Sequence, residues 1–128
     1  MSLTVSPGLL DQAKNGKVDD AAFIDCIRDS LPYAWSMVSR LADERQRTGA
    51  EFADNQAAPP DEAAYGQIFR ALASTAIREA LERHFGVRLA FQNCHRVAVF
   101  DPTAENAYTA FTTPEAQVLN QSPTLVNC

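Results

Sequence analysis

The sequence predicts an α+β fold: a helix-rich single domain over residues 1–128, with long helices packed on a small antiparallel sheet. Three observations carry this. Apolar residues recur at three- and four-residue steps over 20–47 and again over 61–85, the period of a helix with one buried stripe. Across 87–100 the period drops to two, with Val87, Leu89 and Phe91 alternating with Arg88, Ala90 and Gln92, as a half-buried strand requires. A chain of 128 residues, 46% hydrophobic and 21% charged, is one domain and is too apolar to stay disordered.

The elements follow in order. Ser6 can cap a first short helix with Pro7 at its first position and Gly16 beyond its Lys14-Asn15 end. Asp19 or Asp20 caps the next, whose stripe runs through Phe23, Ile24, Ile27, Leu31, Trp35, Val38 and Leu41. Pro32 lacks the amide hydrogen a helix interior needs, so the stripe divides into helices at about 20–30 and 32–47, bending near Leu31 and exposing Tyr33 and Trp35 to a second subunit. Residues 49–60 have no period and contain Asp54-Asn55 and Pro59-Pro60, so they read as a long loop. A single helix is expected over 61–85, with Tyr65, Ile68, Phe69, Leu72, Ala76, Ile77, Leu81 and Phe85 on its apolar face and Gly86 as its stop. The strand sequence 87–100 forms either one long strand or a hairpin turning at Asn93-Cys94. Residues 108–113 have strand propensity, yet Asp101-Pro102 can open a helix; the tail from Ser122 is unassigned. The expected core includes Phe23, Ile27, Trp35, Leu41, Ile68, Leu72, Ile77, Leu81 and Val97.

Composition narrows the partners. Sixteen acidic against eleven basic residues leave a net charge of −5, which argues against a broad nucleic-acid footprint. No apolar run approaches the roughly 20 residues that span a bilayer, and Met1–Ser6 lacks the basic and apolar regions of a secretory signal. Three cysteines without paired spacing suit a reducing compartment, so a cytoplasmic, membrane-free setting is expected.

Chemistry is densest at Gln92-Asn93-Cys94-His95-Arg96, five polar residues between two apolar runs. Buried polar groups need hydrogen-bond partners, so this run is either a solvated hairpin turn or a site on a rigid sheet. Cys94 and His95 are the catalytic candidates, although neighbours on a regular strand face opposite ways and His95 is poorly placed to activate Cys94. His84 is a further possible partner. A ligand site would combine Asn93, Cys94, His95 and Arg96 with Asp54, Asn55 and Gln56 closing over them, Arg96 supplying charge for an anionic small molecule. Cys26, His84, Cys94, His95 and Cys128 could each bind zinc, but no metal-site spacing joins them and none is assigned. No cofactor fingerprint is present. Gln67, Arg70, Ser74 and Arg78 form a polar row on the 61–85 helix, most simply a solvated face.

Three stretches carry a resemblance: Leu31-Pro32-Tyr33-Ala34-Trp35, Glu51-Phe52-Ala53-Asp54-Asn55-Gln56, and the run from Arg70-Ala71-Leu72-Ala73-Ser74 to Phe100. The most distinctive part is His84-Phe85-Gly86-Val87-Arg88-Leu89-Ala90-Phe91-Gln92-Asn93-Cys94-His95-Arg96-Val97-Ala98-Val99-Phe100, and the similarity extends to Leu119–Pro123. These residues resemble a family of small, functionally uncharacterised cytoplasmic proteins of Streptomyces and related actinobacteria. The resemblance implies a bacterial cytoplasmic setting and transfers no catalytic residue. Two functions are expected to compete. One is a non-catalytic module binding a small molecule or a protein, acting as a homo-oligomer, most simply a dimer. The other is a small enzyme of bacterial secondary metabolism, with its site between the 49–60 loop and Asn93–Arg96.

Overall fold

The helices begin where short polar side chains can take the free amide hydrogens of a first turn. In a computed structural model that describes residues 2–55, 57–92 and 96–119, the Ser6 hydroxyl accepts from Leu9 N–H at the start of α1 (Pro7–Lys14). The Asp19 carboxylate does the same for α2 (Asp20–Ser30), accepting from Ala22 N–H. Pro32 then opens α3 (Pro32–Thr48) directly after Leu31, so the expected bend is a full break between two helices. Leu31 has no capping side chain. Gln67 takes that role from another helix, its Oε1 accepting from Tyr33 N–H at 2.6 Å and Ala34 N–H at 3.2 Å. Gly49 ends α3 at φ 71°, a left-handed conformation that favours glycine.

Two expectations need correction here. The 49–60 segment is not all loop: Phe52–Asp54 forms β1, paired antiparallel with the strand at Arg96–Phe100. The single helix over 61–85 is two, α4 (Glu62–Ala73) and α5 (Thr75–Phe85). Ser74 is extended at ψ 116°, and its hydroxyl accepts from Ile77 N–H, so it ends one helix and caps the next. The apolar stripe conceals this break because α4 and α5 both pack on the same core. The polar row is therefore no continuous face, since Gln67 and Ser74 both serve as caps.

The hairpin alternative holds. β2 (Arg88–Gln92) and β3 (Arg96–Phe100) pair antiparallel from Arg88 opposite Phe100 to Gln92 opposite Arg96. The sheet order is β1-β3-β2. Glu82 shields the β2 edge by accepting from Leu89 N–H at 2.8 Å. Residues 105–112, ambiguous between strand and helix, form α6 (Glu105–Thr112), followed by α7 (Pro114–Leu119). The architecture is thus α+β, with a three-stranded antiparallel sheet and seven helices among the described residues.

Alternation along the strands sends side chains to two cores. Val97, Val99, Leu89 and Ala53 join Ile27, Leu31, Val38, Ile68, Leu72, Ile77 and Leu81 beneath α2–α5. Ala98, Phe100 and Ala90 face the other way and meet Phe111 of α6, with Ala107 and Tyr108 beside it. Burying each large apolar side chain contributes about 1.5–3 kcal/mol, and Ile27, Leu41, Ile68, Ile77, Leu81 and Val97 are at most 1% exposed, as their periodicity requires. Phe23 and Trp35 are only partly buried and pack on the margin of the main core. Trp35 lies against His84 and Phe85, each ring centroid 5.0 Å away, so the break at Pro32 does not leave it standing free for a partner.

Candidate functional site

β1 and β3 bring two candidate segments together. Asp54 pairs with Ala98 in register, and the contact extends one residue further as Asn55 N–H donates to Val97 C=O at 3.2 Å. The Asn55 side chain continues the ladder, its Oδ1 accepting from Val97 N–H at 2.6 Å while Nδ2 donates to Ala57 C=O at 3.4 Å. Asn55 is 5% exposed. An amide that both donates and accepts along a strand completes backbone that would otherwise be buried without partners.

Asp54 and Arg96 project from the same sheet face on adjoining strands. Arg96 Nε donates to Asp54 Oδ2 at 2.7 Å, and Nη2 reaches the same oxygen. The Asp54 side chain is 9% exposed and that of Arg96 30%, so the pair is shielded from water. Removing either partner would leave a poorly solvated charge behind. The Arg96 guanidinium also lies 5.4 Å from the Phe111 ring centroid. Of the seven predicted ligand residues, Asp54, Asn55 and Arg96 converge at this corner of the sheet. Gln56, Asn93, Cys94 and His95, and with them both catalytic candidates, lie outside the described residues. The part described carries charge pairing and backbone completion.

A second ion pair anchors the opposite end of the same strands. Arg45 Nη1 donates to Asp101 Oδ2 and to Ala50 C=O, each at 3.2 Å. Asp101 N–H donates to Glu51 C=O, joining the end of β3 to the start of β1. Hydrogen bonds from the Thr103 hydroxyl and amide, with Arg45 behind them, hold the Asp101 carboxyl below its ordinary range. Burial pushes the Tyr33 phenol above its ordinary range. Among the described residues, no group of three or more His, Cys, Asp or Glu side chains is placed to hold a metal ion. Cys26 is buried and donates to Thr4 C=O at 3.4 Å, and the His84 ring lies tilted against Trp35 and edge-on to Phe85.

Sequence reasoning missed two features. Phe69, assigned to the buried stripe, is 56% exposed and meets Phe91 of β2 edge to face at 6.3 Å. Periodicity gives no sign of this, since Tyr65, Ile68, Phe69 and Leu72 keep the i, i+3, i+4, i+7 spacing of one packed face. The other feature is Arg88, whose guanidinium lies 3.6 Å from the centroid of the Tyr108 ring; no periodicity signals that contact.

Residues 1–128, the whole chain, match the family model described as NucS shadow ORF. The chain belongs to the NucS shadow ORF family. Membership over the full length places both strand segments, the helices that hold them and the Asp54–Arg96 corner inside one family unit. The family description names no reaction, ligand or partner. No curated protein and no solved structure matches the chain. Among the described residues, no helix is long and apolar enough to cross a membrane.

Proposed function

We propose that this member of the NucS shadow ORF family is a non-catalytic binding module that acts as a homodimer, docking through the ridge formed by Phe69 and Phe91. The exposure of Phe69 carries the reading: a large ring, 56% exposed and braced by a second ring, has the make-up of an interface anchor. A two-fold axis would let the ridge meet its own copy, the commonest way for a small chain to cover such a surface. The Arg96–Asp54 pair and the Asn55–Val97 hydrogen bond support a scaffold role for that corner over a reacting one. An actinobacterial, cytoplasmic setting belongs to the same proposal and rests on the residue resemblance given above. Sedimentation at micromolar concentrations should give twice the 14.0 kDa chain mass, and Phe69→Ser should give the monomer with unchanged helix content. A parent chain that sediments only as a monomer refutes the reading.

The alternative is a small enzyme or metabolite-binding protein of secondary metabolism. One observation favours it: two of the predicted ligand residues, Asp54 and Arg96, meet on one face of the sheet. Native mass spectrometry with metal analysis tests it directly. If His95→Ala and Arg96→Lys both fold and retain whatever the parent carries, that site is abandoned.

A further inference from the structure

We propose that the sheet face beneath α6 is a platform for single-stranded nucleic acid, closed by α6–α7 acting as an internal mimic of that ligand. Single strands are held by cations along the backbone and by aromatic rings on which bases stack. This face offers both. Phe52 and Phe100 stack at 5.2 Å with 26° between their planes. Arg88, opposite Phe100, and Arg96, opposite Gln92, stand at the two ends of the hairpin. Ala90 and Ala98 lie between them and keep the centre shallow.

The cover occupies these positions with matching chemistry. The Tyr108 ring takes the Arg88 guanidinium at 3.6 Å and meets Phe100 edge-on at 5.4 Å. Phe111 lies 5.5 Å from Phe100, 6.4 Å from Phe52 and 5.4 Å from the Arg96 guanidinium. Residues 102–119 contain Glu105 and Glu115 and no Lys, Arg or His. A segment without basic residues therefore sets its rings against Arg88, the Asp54–Arg96 pair and Phe100, the positions that the bases of a nucleic-acid strand would take. The attachment is local: α6 begins at Ala104 with no capping side chain, and its cluster is separate from the main core, so it belongs to the less stable part of the fold. Arg96 is shared with Asp54, which leaves Arg88 the larger part of the cationic role. The net charge of −5 opposes indiscriminate binding while the cover is closed. Phe69 lies with α4 on the other side of the sheet, so the inference stands apart from the dimer reading.

The experiment is fluorescence anisotropy at low salt with labelled DNA and RNA oligonucleotides of one sequence, about 12 nucleotides long to match common single-strand site sizes. Phe111→Ser in the full chain should bind roughly tenfold tighter than the parent, because the open state becomes more populated. Adding Arg88→Ala should remove most of that gain, and affinity should fall with added salt. A difference between the two oligonucleotides assigns the strand, through contact with the 2′-hydroxyl. A folded Phe111→Ser that binds no better than the parent overturns the proposal, as does a gain that Arg88→Ala leaves intact. Should Phe111→Ser fail to fold, hydrogen exchange on the unaltered chain with saturating oligonucleotide decides. Amides of 105–112 should lose protection while those of 96–100 keep it, and unchanged or increased protection at 105–112 refutes the mimic.

Discussion

Replacing Asn55 by Ala tests how the sheet is completed beyond its last paired residue. Val97 is fully buried, and its amide hydrogen is accepted by Asn55 Oδ1 at 2.6 Å. Truncation to Ala removes that acceptor where water cannot take its place. An orphaned buried donor costs about 1–3 kcal/mol, and relief of burying the carboxamide offsets a part of it. The main-chain bond from Asn55 N–H to Val97 C=O survives the substitution, so the strand should loosen without detaching. Urea unfolding followed by circular dichroism should show a loss of about 1–3 kcal/mol at unchanged slope. The corresponding fall in Tm is roughly 3–6 °C per kcal/mol for a domain of this size. Asn55→Asp separates hydrogen bonding from packing. It keeps an oxygen toward Val97 but sets a carboxylate against Ala57 C=O at a site 5% exposed. It should cost at least as much as Ala at neutral pH and recover as acid protonates it. A loss below about 0.5 kcal/mol for Ala, the range of neutral surface changes, would refute the role given to Asn55.

Other expectations follow from the same contacts. Leu72 is 3% exposed in the main core, so Leu72→Ala should destabilise by about 2–5 kcal/mol in chemical denaturation. Gln67→Ala leaves Tyr33 and Ala34 N–H without their acceptor at the uncapped start of α3, a loss of about 0.5–2 kcal/mol by calorimetry. The Asp101 carboxyl is held below its ordinary 3.8 in the folded chain. Its contribution is therefore present above that value and lost as pH falls through the lower folded one. Stability measured against pH should accordingly fall less steeply below about pH 4 for Asp101→Asn than for the parent.

Local signals account for most of the helices. Ser6, Asp19, Pro32 and Gly86 mark two starts, a break and a stop at the expected places because each acts on backbone within a few residues. The missed break at Ser74 is also local in chemistry, since serine is a good cap. It was hidden because Ile68, Leu72, Ile77 and Leu81 keep nearly helical spacing across it while serving one core. β1 was missed for a different reason. Three residues carry too little pattern to read, and Phe52–Asp54 is a strand only because β3, some forty residues on, is there to pair with it. Tertiary pairing overrides weak propensity in such a segment.

The candidate corner was legible in its members and not in their work. Polar residues at 54–55 and at 96, flanking apolar runs, had to find partners, and the register of β1 on β3 gives Arg96 to Asp54 and the Val97 backbone to Asn55. What sequence could not supply is direction. Arg96 turns toward Asp54 and Phe111 rather than into an open pocket because Val97 and Val99 take the main-core side of β3 and alternation leaves Arg96 the other. The same alternation leaves Phe100 and Ala98 facing away from α2–α5, and a second apolar face on a three-stranded sheet requires a cover. That requirement decides the ambiguous 105–112 segment. As a strand, Tyr108 and Phe111 would point to opposite sides; as a helix, three residues apart, both rings reach Phe100. Burial of that face, more than the local propensity of Tyr108–Thr113, makes α6 a helix and sets its rings against the sheet's two arginines.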